Sequence, residues 1–181
     1  LRLNIISCWV IADPLRPVLD RVREGGAGTV VLIQFGHNDQ PGKPGRSTDL
    51  ANEFPANLTR YLVEVKAVGG LPVLVTPLTR RSFRDGALNN DLRPWADAAR
   101  TVAAAQQVPL LDLNASSAAA VQAMVQSEAD TLAEALPGAP RFDRTHLGPK
   151  GACLFAGMVA QELPALLPAS AGAMRADPEC P

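Results

Sequence analysis

Three short runs of apolar residues stand out along the chain, and polar residues, glycine or proline flank each of them. The runs are residues 29–35 (TVVLIQF), 72–76 (PVLVT) and 108–113 (VPLLDL). Nearly continuous apolar runs of this length are typical of strands covered on both faces, as in parallel sheets. We therefore predict three buried strands at these positions.

Apolar residues elsewhere recur with helical spacing. In residues 52–68, Phe54, Leu58 and Leu62 fall on one helical face, and Gly69-Gly70 supplies a stop signal. The same reasoning predicts further helices over residues 13–23, 94–107, 115–136 and 149–167, and a flexible tail rich in alanine, proline and glycine over residues 168–181.

The alternation of strands and helices predicts an α/β fold, in which a parallel sheet with right-handed crossovers is wrapped by helices. No linker or internal repeat divides the sequence, so we predict one domain over residues 1–167. Ligands of such open sheets bind outside the carboxyl ends of the strands. The segments that follow the predicted strands are therefore the places to search for chemistry.

Composition excludes several classes of protein. The 181 residues are 47% hydrophobic and 19% charged, with a net charge of −1, which argues against disorder and against a nucleic-acid partner. No apolar run approaches the roughly 18–20 residues that span a bilayer, so no membrane partner is predicted. Cys8, Cys153 and Cys180 are few and widely spaced, and we interpret them as scattered thiols without a disulfide framework or zinc site.

The first strand run ends in Gly36-His37-Asn38-Asp39. Gly36 allows a sharp turn, and the Asn38 amide can then project over the sheet edge, where its N–H can meet an oxyanion. The alternative is a turn without chemistry, because Gly, Asn and Asp favour turns for conformational reasons.

The second candidate segment precedes the last predicted helix and contains Asp143 and His146. A carboxylate three residues before a histidine can reach the ring Nδ1–H, fix the tautomer and stabilise the imidazolium. The alternative is that both residues cap the final helix, with Pro149 in its first turn.

Taken together, the two segments resemble conserved blocks III and V of the SGNH (GDSL-type) hydrolase superfamily. The flanking sequences VVLIQFGHNDQ, GGLPVLVTPLTRRSF, VPLLDLNASS and DRTHLGPKGACLFAGMVAQEL resemble its rhamnogalacturonan acetylesterase-like group. The resemblance implies a three-layer α/β/α, flavodoxin-like fold and hydrolysis of acetyl esters on plant cell-wall polysaccharides. It also implies His146 as general base and acid, Asp143 as its orienting partner, Asn38 as oxyanion-hole donor, and no metal or cofactor.

The sequence departs from the family pattern because it contains no Gly-Asp-Ser, the motif of the nucleophilic serine. Ser7, Ser47 and Ser82 are not on the strand-to-helix turn that activates a nucleophile. We therefore expect an N-terminally truncated domain without its first strand and without measurable turnover. In the family's strand order 2-1-3-4-5, that loss leaves residues 29–35 with an open edge, unless residues 1–6 fill the gap.

Two alternative functions stay open. The first is a non-catalytic sugar-binding or interaction protein on the same scaffold, and the second is an SGNH lipase or thioesterase. The expected partner in the leading interpretation is an acetylated polysaccharide or another small ester. The sequence does not determine the compartment, although the resemblance is compatible with a secreted or periplasmic parent protein.

Overall fold

A computed structural model describes residues 3–7, 15–26, 28–133 and 142–173 of the chain. The strands are β1 (Leu3–Ser7), β2 (Val30–Gln34), β3 (Leu71–Val75), β4 (Phe83–Arg84), β5 (Ala87–Leu88) and β6 (Leu110–Leu111). The helices are α1 (Arg16–Gly25), α2 (Glu53–Ala67), α3 (Arg93–Gln106), α4 (Leu113–Gln122), α5 (Gln126–Asp130) and α6 (Pro149–Leu166), followed by a 3-10 helix (Pro168–Ala173). The chain forms two compact units, Leu1–Pro77 with Pro94–Asp112 and Leu78–Arg93 with Leu113–Pro181.

The first unit contains a four-stranded parallel sheet in the order β1-β2-β3-β6. Its strands β2 and β3 confirm the predicted strands over residues 29–35 and 72–76 to within a residue or two. The predicted α/β class with a parallel sheet is thus confirmed.

β2 does not have the open edge that we expected from the family's strand order. β1 pairs with it in parallel along its whole length, with Leu3 opposite Val30 and Ser7 opposite Gln34. The alternative, in which the first residues of the chain fill the position beside this strand, is therefore the correct one. A short β-prone segment can occupy that position because each strand hydrogen bond that it forms satisfies a backbone group of β2.

The core of the first unit lies between the sheet and helices α1, α2 and α3. Val31, Ile33 and Leu74 of the strands are fully buried there. The helices contribute Val22, Phe54, Leu58, Leu62, Val65, Ala99 and Val102, among others. Val30, Leu32 and Val73, which alternate with the first set, are also nearly or fully buried. Burial on both faces explains why these runs lack the polar alternation of a half-exposed strand.

The third predicted strand, over residues 108–113, is only two residues long in the structure. Pro109 still accepts a hydrogen bond from the Leu74 N–H, but Asp112 turns its carboxylate to the Thr76 hydroxyl and to Arg100. Helix α4 begins at the following residue, Leu113. Apolar content alone did not reveal that a side-chain network ends this strand.

The second unit contains a β4–β5 hairpin that was not predicted. Its turn is Asp85-Gly86, and both residues have positive φ, 52° and 77°, as a two-residue hairpin turn of type I′ requires. The Asp-Gly pair was the signal in the sequence. The hairpin packs against α4, and α4 also contacts α6.

The single helix predicted over residues 115–136 is wrong, because α4 and α5 are separate. Val125, between them, has an extended backbone with φ −90° and ψ 162°. Gln122 accepts a hydrogen bond from the Leu88 N–H, and Gln126 accepts one from the Phe83 N–H. Both glutamine side chains are thus hydrogen-bonded to the hairpin near the break between the helices. The helical spacing of apolar residues does not predict this break. Residues 134–136 lie outside the described part.

Cys153, on α6, is disulfide-bonded, which corrects our interpretation of the cysteines as scattered thiols. Cys8 and Cys180 lie outside the described residues. The predicted helix over residues 149–167 is confirmed by α6. Flexibility of residues 168–181 stays a prediction, since the 3-10 helix occupies the first six of them and the last eight are not described. No helix in the described part of the chain has the length and hydropathy needed to cross a membrane.

Candidate active site

The turn after β2 depends on Gly36. Its φ is +133°, a conformation that is essentially restricted to glycine. A Cβ atom at this position would lie 2.9 Å from Pro77 Cγ, 3.0 Å from Pro77 Cβ and 3.3 Å from Trp95 Cβ. The backbone of the turn can therefore adopt this path only without a side chain here.

The buried Asp39 carboxylate stabilises the turn through two hydrogen bonds. One carboxylate oxygen accepts the Gly36 N–H at 2.9 Å, and the other accepts the Thr48 hydroxyl at 3.0 Å. Burial raises the pKa of Asp39, and the hydrogen bonds from Thr48 and Gly36 only partly oppose that shift. The carboxyl is thus a buried brace of the loop, while His37 and Asn38 beside it are half-buried.

In the second unit, Asp143 and His146 form a hydrogen-bonded pair. Asp143 Oδ2 lies 2.6 Å from His146 Nδ1, and Asp143 Oδ1 accepts the backbone N–H groups of Thr145 at 2.8 Å and His146 at 2.9 Å. The carboxylate therefore fixes both the local backbone and the ring. The His146 side chain is 75% exposed, whereas that of Asp143 is 31% exposed.

The protonation state of Asp143 determines what the pair can do. Desolvation would raise its pKa, but the hydrogen bonds from the backbone and ring of His146 and from Thr145 outweigh it and lower the pKa to about 2. At neutral pH the carboxylate is ionised and can only accept hydrogen bonds. His146 Nδ1 must then carry the proton of the neutral ring, which leaves Nε2 as a proton acceptor.

The alternative role for Asp143 and His146, capping of the last helix, is not what the structure shows. The N-cap of α6 is Gly148, and it makes no side-chain capping bond. The Asp143 carboxylate bonds to Thr145 and His146, which precede the helix. The pair is thus organised around the imidazole.

Two consecutive arginines, neither of which was predicted from the sequence, support this loop. Arg80 Nε donates to the Thr145 hydroxyl at 3.1 Å, and its Nη1 donates to Asp91 at 2.7 Å. Arg81 is completely buried and donates through Nη2 to the His146 carbonyl at 2.5 Å. No local sequence pattern connects these arginines with a loop that lies 65 residues further along the chain.

Arg144, which belongs to the same loop, anchors it to helix α5. Its guanidinium makes two hydrogen bonds to the Asp130 carboxylate, at 2.9 and 3.0 Å. Gln126 Nε2 donates both to Asp130 and to the Arg81 carbonyl. These contacts join α5, the segment before β4 that contains Arg81, and the loop that carries Asp143 and His146 into one polar network.

Of the serines considered as replacement nucleophiles, Ser47 is engaged within its own loop. Its hydroxyl hydrogen-bonds to the Gln40 and Lys43 carbonyls and accepts the Lys43 N–H. The Ser7 side chain lies outside the described part. The structure assigns no side-chain hydrogen bond to Ser82 among the described residues that would mark it as activated, and a nucleophile needs such a contact with a base.

The described residues include no group of three or more His, Cys, Asp and Glu side chains that could hold a metal ion. Of the predicted site residues, the structure brings Asp143 and His146 together in the second unit. Asn38 lies in the first unit, and its convergence with His146 stays a prediction from the resemblance.

Comparison with known proteins finds relatives that are named as esterases. Rhamnogalacturonan acetylesterase RhgT from Bacillus subtilis (strain 168) is 34% identical over 142 residues, which are 74% of this chain and 60% of that protein. The crystal structure of protein YxiM from Bacillus subtilis matches with a TM-score of 0.68 at 25% identity, covering 83% of this chain and 40% of that one. The acetylxylan esterase Axe2 from Geobacillus stearothermophilus matches in fold, with a TM-score of 0.54 at 18% identity over 82% of this chain and 67% of that one.

The profile of the GDSL-like lipase/acylhydrolase family matches residues 8–153. The chain belongs to this family. The predicted SGNH fold, the resemblance to rhamnogalacturonan acetylesterases and the carboxylic ester hydrolase lineage are thereby confirmed. The chain spans about 60% of the length of the curated relative RhgT.

Proposed function

We propose that this chain is the histidine-bearing part of a carbohydrate esterase that removes acetyl groups from a plant cell-wall polysaccharide such as rhamnogalacturonan. The observation that carries the proposal is the 2.6 Å contact between His146 Nδ1 and Asp143 Oδ2, which leaves Nε2 of an exposed imidazole able to accept a proton. The name of the relative RhgT supports the choice of substrate.

The reaction divides between three of the predicted residues and a serine that the 181 residues do not supply in a Gly-Asp-Ser motif. The serine hydroxyl transfers its proton to His146 Nε2 as its oxygen attacks the acetyl carbonyl carbon. Asp143 stabilises the imidazolium, and the Asn38 amide donates to the oxyanion.

Collapse of the tetrahedral intermediate breaks the bond to the sugar oxygen, which takes the proton from His146 and leaves as an alcohol. Water then attacks the acetyl-serine, giving its proton to His146. Acetic acid leaves as the serine oxygen recovers the proton from His146, and it ionises to acetate in solution. The histidine thus acts first as a base and then as an acid in each half of the reaction.

The test measures acetate release from acetylated rhamnogalacturonan by two proteins, the 181-residue chain and the product of the complete reading frame in which it lies. We expect no measurable turnover by the former, because loss of a triad serine costs on the order of 10⁶ in kcat. We expect turnover by the latter that falls by at least about 10⁴ in His146→Ala. His37→Ala, which changes the other histidine, is the matched control.

A panel of p-nitrophenyl esters distinguishes the substrate classes. The proposal predicts a preference for acetate over octanoate, and the opposite preference would favour a lipase or thioesterase. Binding of acetylated fragments without hydrolysis by either protein would favour a non-catalytic sugar-binding protein. Hydrolysis that His146→Ala leaves unchanged would contradict the proposed mechanism.

A further inference from the structure

We propose that Arg81 is a positioning residue, whose guanidinium clamps the loop that carries Asp143 and His146. The inference rests on the proposed function for its catalytic meaning. The clamp itself is a structural claim that can be tested without any esterase activity.

Arg81 contacts the loop through its backbone and its side chain. Its N–H donates to the Arg144 carbonyl at 3.0 Å, Nη2 donates to the His146 carbonyl at 2.5 Å, and Nη1 makes a longer contact of 3.5 Å with the Thr145 carbonyl. Three consecutive carbonyls of the loop are thus held by one residue. A planar guanidinium suits this task because its N–H groups form a rigid fork.

The carbonyl of His146 belongs to the peptide group that follows the catalytic side chain in the sequence. Holding that carbonyl restricts the backbone dihedral of His146, and with it the direction in which the Cα–Cβ bond presents the ring. The Asp143 carboxylate restrains the same residue from the other side, through its N–H and Nδ1. The position of the highly exposed imidazole is therefore set by the hydrogen bonds that Arg81 and Asp143 make with His146.

The placement of Arg81 is costly for stability alone. Its side chain is completely buried, and its Nε has no hydrogen-bond partner among the described residues. Burial lowers the pKa of Arg81, while the charges of Asp143 and Asp130 oppose that shift. An arginine nevertheless stays protonated in proteins. Replacing buried charges by apolar residues of similar size is often neutral or stabilising, so a positioning role accounts for the charge better than packing does.

The experiment compares Arg81→Lys, Arg81→Met and the wild-type 181-residue chain by NMR. Lysine keeps the charge but lacks the fork, so the clamp predicts that both variants release the loop. We expect backbone amide exchange at Thr145 and His146 to accelerate by at least about tenfold, the effect of losing one charge-assisted hydrogen bond. The pKa of Asp143, about 2 in the wild type, is expected to rise in both variants because its backbone donors move away.

Arg23→Met is the matched control. It removes one positive charge from an exposed ion pair with Asp20 on α1, and it should leave the exchange rates and the pKa of Asp143 unchanged. A change in Arg81→Met but not in Arg81→Lys would show that the charge matters and the clamp does not, which overturns the proposal. Wild-type behaviour in both variants overturns it as well.

If neither variant folds, the wild-type chain still provides a test. The Arg81 Nη protons should exchange with solvent far more slowly than those of Arg23, and equal rates would overturn the clamp. In the complete esterase, Arg81→Lys should lower kcat by about 10–100-fold at unchanged KM, since small misplacements of catalytic groups have effects of this size. If no esterase activity exists, the proposed function fails while the NMR comparison still decides whether the clamp exists.

Discussion

Replacing Asp143 by Asn tests the hydrogen-bonded pair of Asp143 and His146 through stability as well as through activity. The structure gives Asp143 a pKa of about 2, against the ordinary value of 3.8. A carboxyl with this depressed pKa stabilises the folded chain at neutral pH by up to about 2.4 kcal/mol, at 1.36 kcal/mol for each tenfold change. Because the side chain is partly exposed, solvent screening reduces this to about 1–2 kcal/mol.

The sign of the pH dependence follows from the direction of the shift. A depressed folded-state pKa contributes stability that is present above the unfolded-state pKa and is lost as the pH falls through the folded-state pKa. The stability difference between the wild type and Asp143→Asn should therefore be full above about pH 4 and shrink toward pH 2. Urea unfolding followed by circular dichroism at pH 7, 5, 4, 3 and 2 measures it.

Asp39→Asn is the control of opposite sign. Burial raises the pKa of Asp39, so the folded state favours its neutral form, and that contribution is lost as the pH rises through the raised pKa. The variant should gain stability relative to the wild type as the pH rises. An Asp143→Asn difference that is flat between pH 7 and 2, or that grows toward acid, would refute the hydrogen-bond network described for Asp143.

The remaining predictions concern three further residues. Gly36→Ala should destabilise the chain by about 2–5 kcal/mol, because the backbone strain and the clash with Pro77 add; chemical denaturation checks this, and a loss under about 0.5 kcal/mol would contradict the described turn. Asn38→Ala in the esterase encoded by the complete reading frame should lower kcat by about 10²–10³-fold, whereas an unchanged kcat in the acetate assay would show that Asn38 is not an oxyanion-hole donor. Dithiothreitol should lower the melting temperature of the wild type but not of Cys153→Ser, since only the former has the disulfide; equal responses would argue against that bond.

The parts of the fold that the sequence predicted are those that local pattern determines. Residues 30–33 and 72–75 are apolar and buried, without the polar alternation of a half-exposed strand, and helix α2 has a regular apolar stripe. The break before Gln126 was not predictable in this way, because side-chain bonds to a distant hairpin accompany it. The sequence does contain a turn signal for the hairpin, Asp85-Gly86. No strong strand pattern on either side accompanies this signal, so the hairpin was not predicted.

The site shows the same division. The Asp143–His146 pair is local, three residues apart, so its spacing in the sequence was sufficient to predict the contact. Arg81 lies 65 residues from His146 along the chain, and no spacing rule connects them. A buried arginine that supports a loop through carbonyls leaves no trace in composition or periodicity, and only coordinates identify it.

The position of the proton on the His146 ring decides whether Asp143 and His146 can act together as proposed. In the 181-residue chain labelled with ¹⁵N-histidine, chemical shifts of the neutral ring report which nitrogen carries the proton, and His37 serves as the internal comparison. We expect the proton to lie on Nδ1, hydrogen-bonded to Asp143, and to move toward Nε2 in Asp143→Asn. A wild-type His146 protonated mainly on Nε2 would contradict its proposed role as general base, because Nε2 of that ring could not accept a proton from a nucleophile.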